Sequence, residues 1–289
     1  ARPAHPGARW LAWGARLPYG LAALLAVVGA VLLLHDMRFG PWAYSDSVAY
    51  IASARNLAAG NGLGIYGPAG NFMPLTLHPP LYPAVLALLI ALIDLDPLTT
   101  ATALNLIAYC GSILLLSGGV YTLSRSWVWG ISAGGLMLTA RTMITNFDGA
   151  MTEGPFIFLM LAVLFGLAAF QHTAQRRWWV LAAAAAAAAS LTRFAGVAFI
   201  AAGAAALLVM GGGVWRARVV RALQFSLAAG LPLALWLGAG ALQQGSLASR
   251  SVQARADLLG AFNQFRGALV EQLVLWLPYQ TKLPTWRIK

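Results

Sequence analysis

Residues 17–34 run without a single charged side chain, and comparable apolar runs recur along most of the chain. This recurrence constrains the fold more than any other feature. About 20 mainly apolar residues are the length at which a helix crosses the hydrocarbon of a bilayer. In that medium the backbone must satisfy its own hydrogen bonds, which leaves helices as the natural solution for runs of this kind. Of 289 residues 60% are hydrophobic and 9% charged, whereas soluble domains carry about a quarter charged. This argues against a soluble globular enzyme and against a disordered tail, and the composition predicts an all-α polytopic membrane protein.

Nineteen Lys and Arg stand against eight Asp and Glu. They are scattered between the apolar runs and form no dense patch, which argues against nucleic acid as a partner. Their positions set topology instead. Seven spans are predicted, at about 17–34, 98–123, 127–145, 155–174, 178–192, 195–213 and 222–242. With a cytoplasmic N-terminus, the inner positions hold Arg2, Arg9, Arg16, Arg125, Arg176, Arg177, Arg216, Arg218 and Arg221, as the positive-inside rule requires. No small-x-small cleavage pattern follows the first run; His35-Asp36-Met37-Arg38 comes next, so it is expected to be a retained helix. The lone Cys110 lies in an apolar run, allows no intrachain disulfide and reads as a small apolar group.

The apolar stretch 81–93 is about 20 Å long as a helix, too short for a core of about 30 Å. It is predicted to lie at or partly within the outer membrane surface, inside a long external loop over about 36–97. Residues 1–242 then form one transmembrane module. Residues 243–289 are expected outside as an amphipathic helix and tail, with Leu258, Leu259, Phe262, Phe265, Leu269 and Leu273 on one side. The octet of alanines at 182–189 predicts close helix packing.

With this topology all eight acids fall on the external side, and few of them are available for chemistry. Asp46 opens a predicted short helix over about 45–57, with Ser45 or Asp46 as its cap, and Arg55 lies further along the same segment. His78 stands before Pro79-Pro80-Leu81-Tyr82-Pro83, an extended entry that launches a helix. Asp148 and Glu153 lie within six residues of each other in a short external loop, and Thr152-Glu153 also suits a helix start. Arg193 marks the outer junction of the fifth and sixth spans, where it can snorkel or pair with a phosphate or one of the acids. The segment Gly62-Leu63-Gly64-Ile65-Tyr66-Gly67 matches G-x-G-x-x-G. It lacks the strand, helix and later acid that a dinucleotide site needs, and reads as a turn-rich loop.

Taken in order, Asp46 in Asp-x-x-x-Tyr-x-x-x-Ala-x-Asn-Leu, Gly60-Asn61-Gly62-Leu63, His78-Pro79-Pro80-Leu81-Tyr82-Pro83, Thr152-Glu153-Gly154-Pro155-Phe156 and Leu191-Thr192-Arg193-Phe194 form a pattern. It resembles the GT-C superfamily of membrane glycosyltransferases, in the branch of protein O-mannosyltransferases and the lipid A aminoarabinose transferase, over about 20–215. The resemblance implies a seven-helix module with juxtamembrane helices in a large first external loop. It also implies a multi-pass protein of the bacterial plasma membrane that moves a sugar from a polyprenyl-phosphate carrier to an acceptor protein, lipid or glycan, usually with inversion. Asp46 then corresponds to the catalytic base, Glu153 and Asp148 to second-loop acids that bind acceptor or a divalent ion (Mg or Mn), Arg193 to a cation near the carrier phosphate, and His78 to a carrier-side or structural contact. Arg55 is expected among the substrate contacts.

Asp46 is flanked by Ser45 and Ser47 where many members of that branch carry a second acid, and the further spans and soluble C-terminal domain usual in the branch are not expected here. An alternative expectation is therefore a truncated module of the same architecture, serving without catalysis as a subunit of a larger membrane complex. A transporter or scramblase of lipid carriers is a third.

Overall fold

The computed structural model describes residues 6–244 and 258–275, which belong to two compact units, Ala1–Ser249 and Arg250–Lys289. Along the first unit run helix α1 (Pro6–Asp36), α2 (Ser45–Ala58), a hairpin of β1 (Gly64–Tyr66) and β2 (Phe72–Pro74), α3 (Leu81–Ile93), α4 (Pro97–Ser124), α5 (Trp127–Thr139), α6 (Arg141–Phe147), α7 (Glu153–Thr173), α8 (Arg176–Thr192), a 3-10 turn (Phe194–Gly196), α9 (Val197–Val209) and α10 (Trp215–Gln244). The second unit carries α11 (Leu258–Leu275). Leu259, Phe262, Phe265 and Leu269 are exposed on α11, while 245–257 and 276–289 of the expected external helix and tail lie outside the described residues.

Among the described residues four helices are long and apolar enough to cross a membrane, Leu17–Asp36, Pro97–Ser124, Glu153–Thr173 and Trp215–Leu242. The pattern of burial is that of an all-α membrane protein. On α10 the buried positions are Ala222, Phe225, Ala229 and Leu233, whereas Leu223, Leu227, Leu231 and Leu235 are each more than half exposed. On α1 Ala22, Ala26 and Leu33 point inward, and Leu24, Val27 and Val31 outward. Water would penalise such outward leucines over a face this large. Lipid tolerates them, and small inward residues let the backbones approach.

Among the described residues three buried cores form, two of them within the bundle. Ala26, Leu33, Tyr109, Ile113, Met137 and Phe147 join α1, α4, α5 and α6, and Val163, Leu167, Ala182, Ala186, Leu207 and Phe225 join α7 to α10. The alanine octet supplies a close seam, since Ala182, Ala186 and Ala189 are fully buried and a Cβ on Gly166 would stand 3.1 Å from that of Ala182. The third core, with Tyr50, Ala54, Tyr82, Leu86 and Ala101, packs α2 and α3 against the start of α4.

The expected spans differ from the helices in two places. Residues 127–145 are not one helix: α5 stops at Thr139, whose Oγ1 donates back to the Gly135 and Leu136 carbonyls, and Ala140 leaves helical geometry at ψ 100° before α6 begins. A hydroxyl competing for carbonyls at a helix end favours such a break. Residues 195–213 shorten to the 3-10 turn and α9. The expected loop around the glycine-rich motif is in part a hairpin, with Gly64 opposite Pro74 and Tyr66 opposite Phe72.

Candidate functional site

Polar side chains gather where α2, the loop before α3, the start of α7 and the α8–α9 junction meet. The sequence builds each wall locally. Tyr44 is the N-cap of α2, and its N–H donates to Ser47 Oγ at 2.9 Å. The expectation of Ser45 or Asp46 as cap is thereby corrected: Ser47, three residues on, reaches back and leaves the Asp46 carboxylate free of capping. Asp46 sits half-buried in the first turn, accepting from Ser45 Oγ at 3.4 Å. Four residues on, Tyr50 lies on the same helical face.

The second wall is held from two sides. Trp42 N–H donates to the Asp148 carbonyl at 2.9 Å and Ala150 N–H to the Trp42 carbonyl at 2.8 Å, forming a short parallel bridge. Asn105 Nδ2, buried on α4, donates to the Gly149 carbonyl. This clamp fixes the entry to α7, where Thr152 is the N-cap and Glu153 the first residue.

The third wall comes from the end of α8. Ser190 and Thr192 hydroxyls donate to the Ala187 and Ala188 carbonyls, Arg193 adopts an extended backbone, and the 3-10 turn starts α9. Arg193 Nη1 donates to Glu153 Oε1 and, at 2.9 Å, to Thr152 Oγ1. Both ionic side chains are about a third exposed, 37% and 30%, so the pair is part open to whatever enters. A guanidinium has five donors, and these contacts use Nη1 alone. Glu153 Oε2 and the Tyr82 hydroxyl are buried with no hydrogen-bond partner.

Tyr50 links the walls. Its hydroxyl shares a hydrogen bond of 3.1 Å with His78 Nδ1, and its ring meets His78 and Tyr82 edge-on at 4.9 and 5.3 Å between centroids. Burial pushes the Tyr50 phenol up. A side-chain hydrogen bond with Thr152 and the charge of Arg193 lower it, while the charges of Asp46 and Glu153 raise it. Burial likewise pushes the Tyr82 phenol up, with Tyr50 and Glu153 adding to it. Tyr50 therefore feels Asp46, Glu153 and Arg193 together, while remaining a neutral donor at physiological pH.

Asp148 and Arg55 are placed elsewhere. Asp148 is 3% exposed and faces Asp36 and Arg141; burial pushes its carboxyl up to about 7, and hydrogen bonding to Asp36 adds to the shift. Arg55 is exposed and pairs at 3.8 Å with Asp96, which caps α4 by accepting from Leu98 N–H at 2.9 Å. Among the described residues no three His, Cys, Asp or Glu side chains gather to hold a metal ion, so Asp46, Asp148 and Glu153 do not form a three-ligand set for a divalent cation. Sequence reasoning passed over Tyr50, Tyr82 and Thr152 as site residues. The four-residue spacing of Asp46 and Tyr50 was the available signal for the first; the other two depend on contacts between distant segments.

No family model, no curated protein and no solved structure matches the chain.

Proposed function

We propose that the protein is a membrane glycosyltransferase that moves a sugar from a polyprenyl-phosphate carrier to an acceptor at the external face, with inversion. The observation that carries the reading is the meeting of Arg193, Glu153, Thr152, Tyr50 and His78, with Asp46 acting on the same phenol. On this reading α1, α4, α5 with α6, α7, α8, α9 and α10 alternate across the bilayer as seven passes, the N-terminus is cytoplasmic, and the cluster lies at the outer surface of a plasma membrane.

The chemistry needs two things, a base for the acceptor and a cation for the leaving group. The acceptor hydroxyl gives its proton to the Asp46 carboxylate as its oxygen bonds to the anomeric carbon. The bond from that carbon to the phosphate oxygen breaks, and its electron pair leaves with the polyprenyl phosphate. One positioned base contributes about 10²–10⁴-fold. Arg193 holds the phosphate through the donors its contacts with Glu153 and Thr152 leave unused, as a preorganised cation where the leaving-group charge develops. Glu153 orients the guanidinium, and the neutral phenol of Tyr50 donates to the sugar or phosphate oxygens. A single displacement at the anomeric carbon inverts it.

Binding of polyprenyl monophosphate to the purified protein tests the phosphate assignment. Arg193→Gln is expected to weaken it about tenfold or more, the size of a lost charged hydrogen bond. Arg193→Lys falls between, because it keeps the charge and loses the fork. Unchanged affinity in a folded Arg193→Gln protein sinks the assignment.

A further inference from the structure

At the opposite end of the first unit a groove of about 1050 Å³ runs along α7 between α4 and α8. It is at the upper end of small-molecule pocket sizes. Its lining is mainly apolar and mixes small residues such as Gly118, Ala162 and Ala185 with leucines and phenylalanines, and it includes Arg125, His172 and Trp178. From Leu114 to Arg125 the groove follows α4 for about 17 Å, half of a hydrocarbon core of about 30 Å. It thus has the length of one leaflet, with its charged end at interface depth.

We propose that this groove binds an anionic phospholipid of that leaflet, acyl chains along α7 and phosphate at Arg125 and His172. Charge complementarity selects this occupant over a neutral lipid or a helix. Arg125, Arg176, Arg177, Arg216, Arg218 and Arg221 all lie at this end, while every acid of residues 6–244 lies at the other, from Asp36 to Glu153. Of these only Arg125 lines the groove, and among the described residues it makes no ion pair with a carboxylate. A bilayer supplies an anion at the depth where Arg125 and His172 stand exposed. Trp178 beside them is the side chain that favours the headgroup level.

The whole chain, purified and placed in phosphatidylcholine discs, is titrated with phosphatidylglycerol of the same acyl chains, and bound lipid is counted by native mass spectrometry. Wild type is expected to retain phosphatidylglycerol over phosphatidylcholine by about fivefold, the factor one basic residue near an anionic headgroup supplies. Arg125→Gln is expected to abolish this preference while still holding lipid. Gly118→Leu fills the groove, since a Cβ there meets only the Tyr19 ring at 4.0 Å, and is expected to lose retention of both lipids. Equal retention of the two lipids by wild type, or a preference that survives Arg125→Gln, overturns the proposal. A wild-type dimer that Gly118→Leu converts to monomer also overturns it, since a second copy would then occupy the groove. None of these readouts depends on sugar transfer.

Discussion

At the residue scale, Asp148 shows how burial divides acids that look alike in sequence. Asp148 and Glu153 share one short loop, yet Glu153 turns to Arg193 and Asp148 to Asp36. The raised carboxyl of Asp148 has a consequence for stability. Its folded pKa of about 7 lies above the ordinary value of about 3.9, so the folded state holds the proton more tightly. The stabilisation is complete below about pH 4 and is lost as pH rises through about 7, with a limiting slope of about 1.4 kcal/mol per pH unit. Asp148→Asn removes that titration. Melting curves in detergent between pH 4 and 8 are expected to show wild type falling with pH relative to Asp148→Asn; parallel curves would refute the buried-acid description. Asp46, Glu153, Arg193 and His78 were legible as candidates because polar groups are scarce in this chain. Which of them meet was not legible, since Arg193 and Glu153 are 40 residues apart and only the packing of α8 on α7 brings them together.

At the element scale, the placement of Arg193 depends on how the 3-10 turn sits on α8. Gly196 has no room for a side chain: its Cβ would run into the backbone of Ala189 and Ser190. Gly196→Ala must therefore push the turn off α8, at about 1–3 kcal/mol for overpacking, and carry the Arg193 backbone with it. A lower melting midpoint together with weaker polyprenyl-phosphate binding is expected, and a variant with wild-type values of both would show that the turn is not what fixes Arg193. The alanine octet announced its seam in sequence because only small residues allow that approach. The break at Ala140 was hidden, since Thr139 and Arg141 interrupt an apolar run without a Gly or Pro to mark it. The hairpin after α2 was hidden too, because three-residue strands carry too little alternation to be seen.

At the scale of the whole molecule, the segregation of charge gives the bundle two unlike ends. The acidic end carries the Arg193 cluster and the basic end the groove. Composition and run length made the membrane class legible from the outset, whereas three of the seven expected passes fall below the length that identifies a span by itself. Orientation is open to direct labelling. In a Cys110→Ala background, Ala69→Cys in the hairpin turn is expected to react with an impermeant thiol reagent on intact cells. Gln175→Cys, between α7 and α8, should react only after permeabilisation; the reverse pattern would invert the topology. Sugar transfer is the direct measure of catalysis: purified wild type and Asp46→Asn are compared with a polyprenyl-phosphate sugar donor and an acceptor, and the anomeric configuration of the product is read. An inverted product is expected from wild type and a rate about 10²–10⁴-fold lower from Asp46→Asn, with polyprenyl-phosphate binding unchanged. Transfer by Asp46→Asn at the wild-type rate would rule out Asp46 as the base.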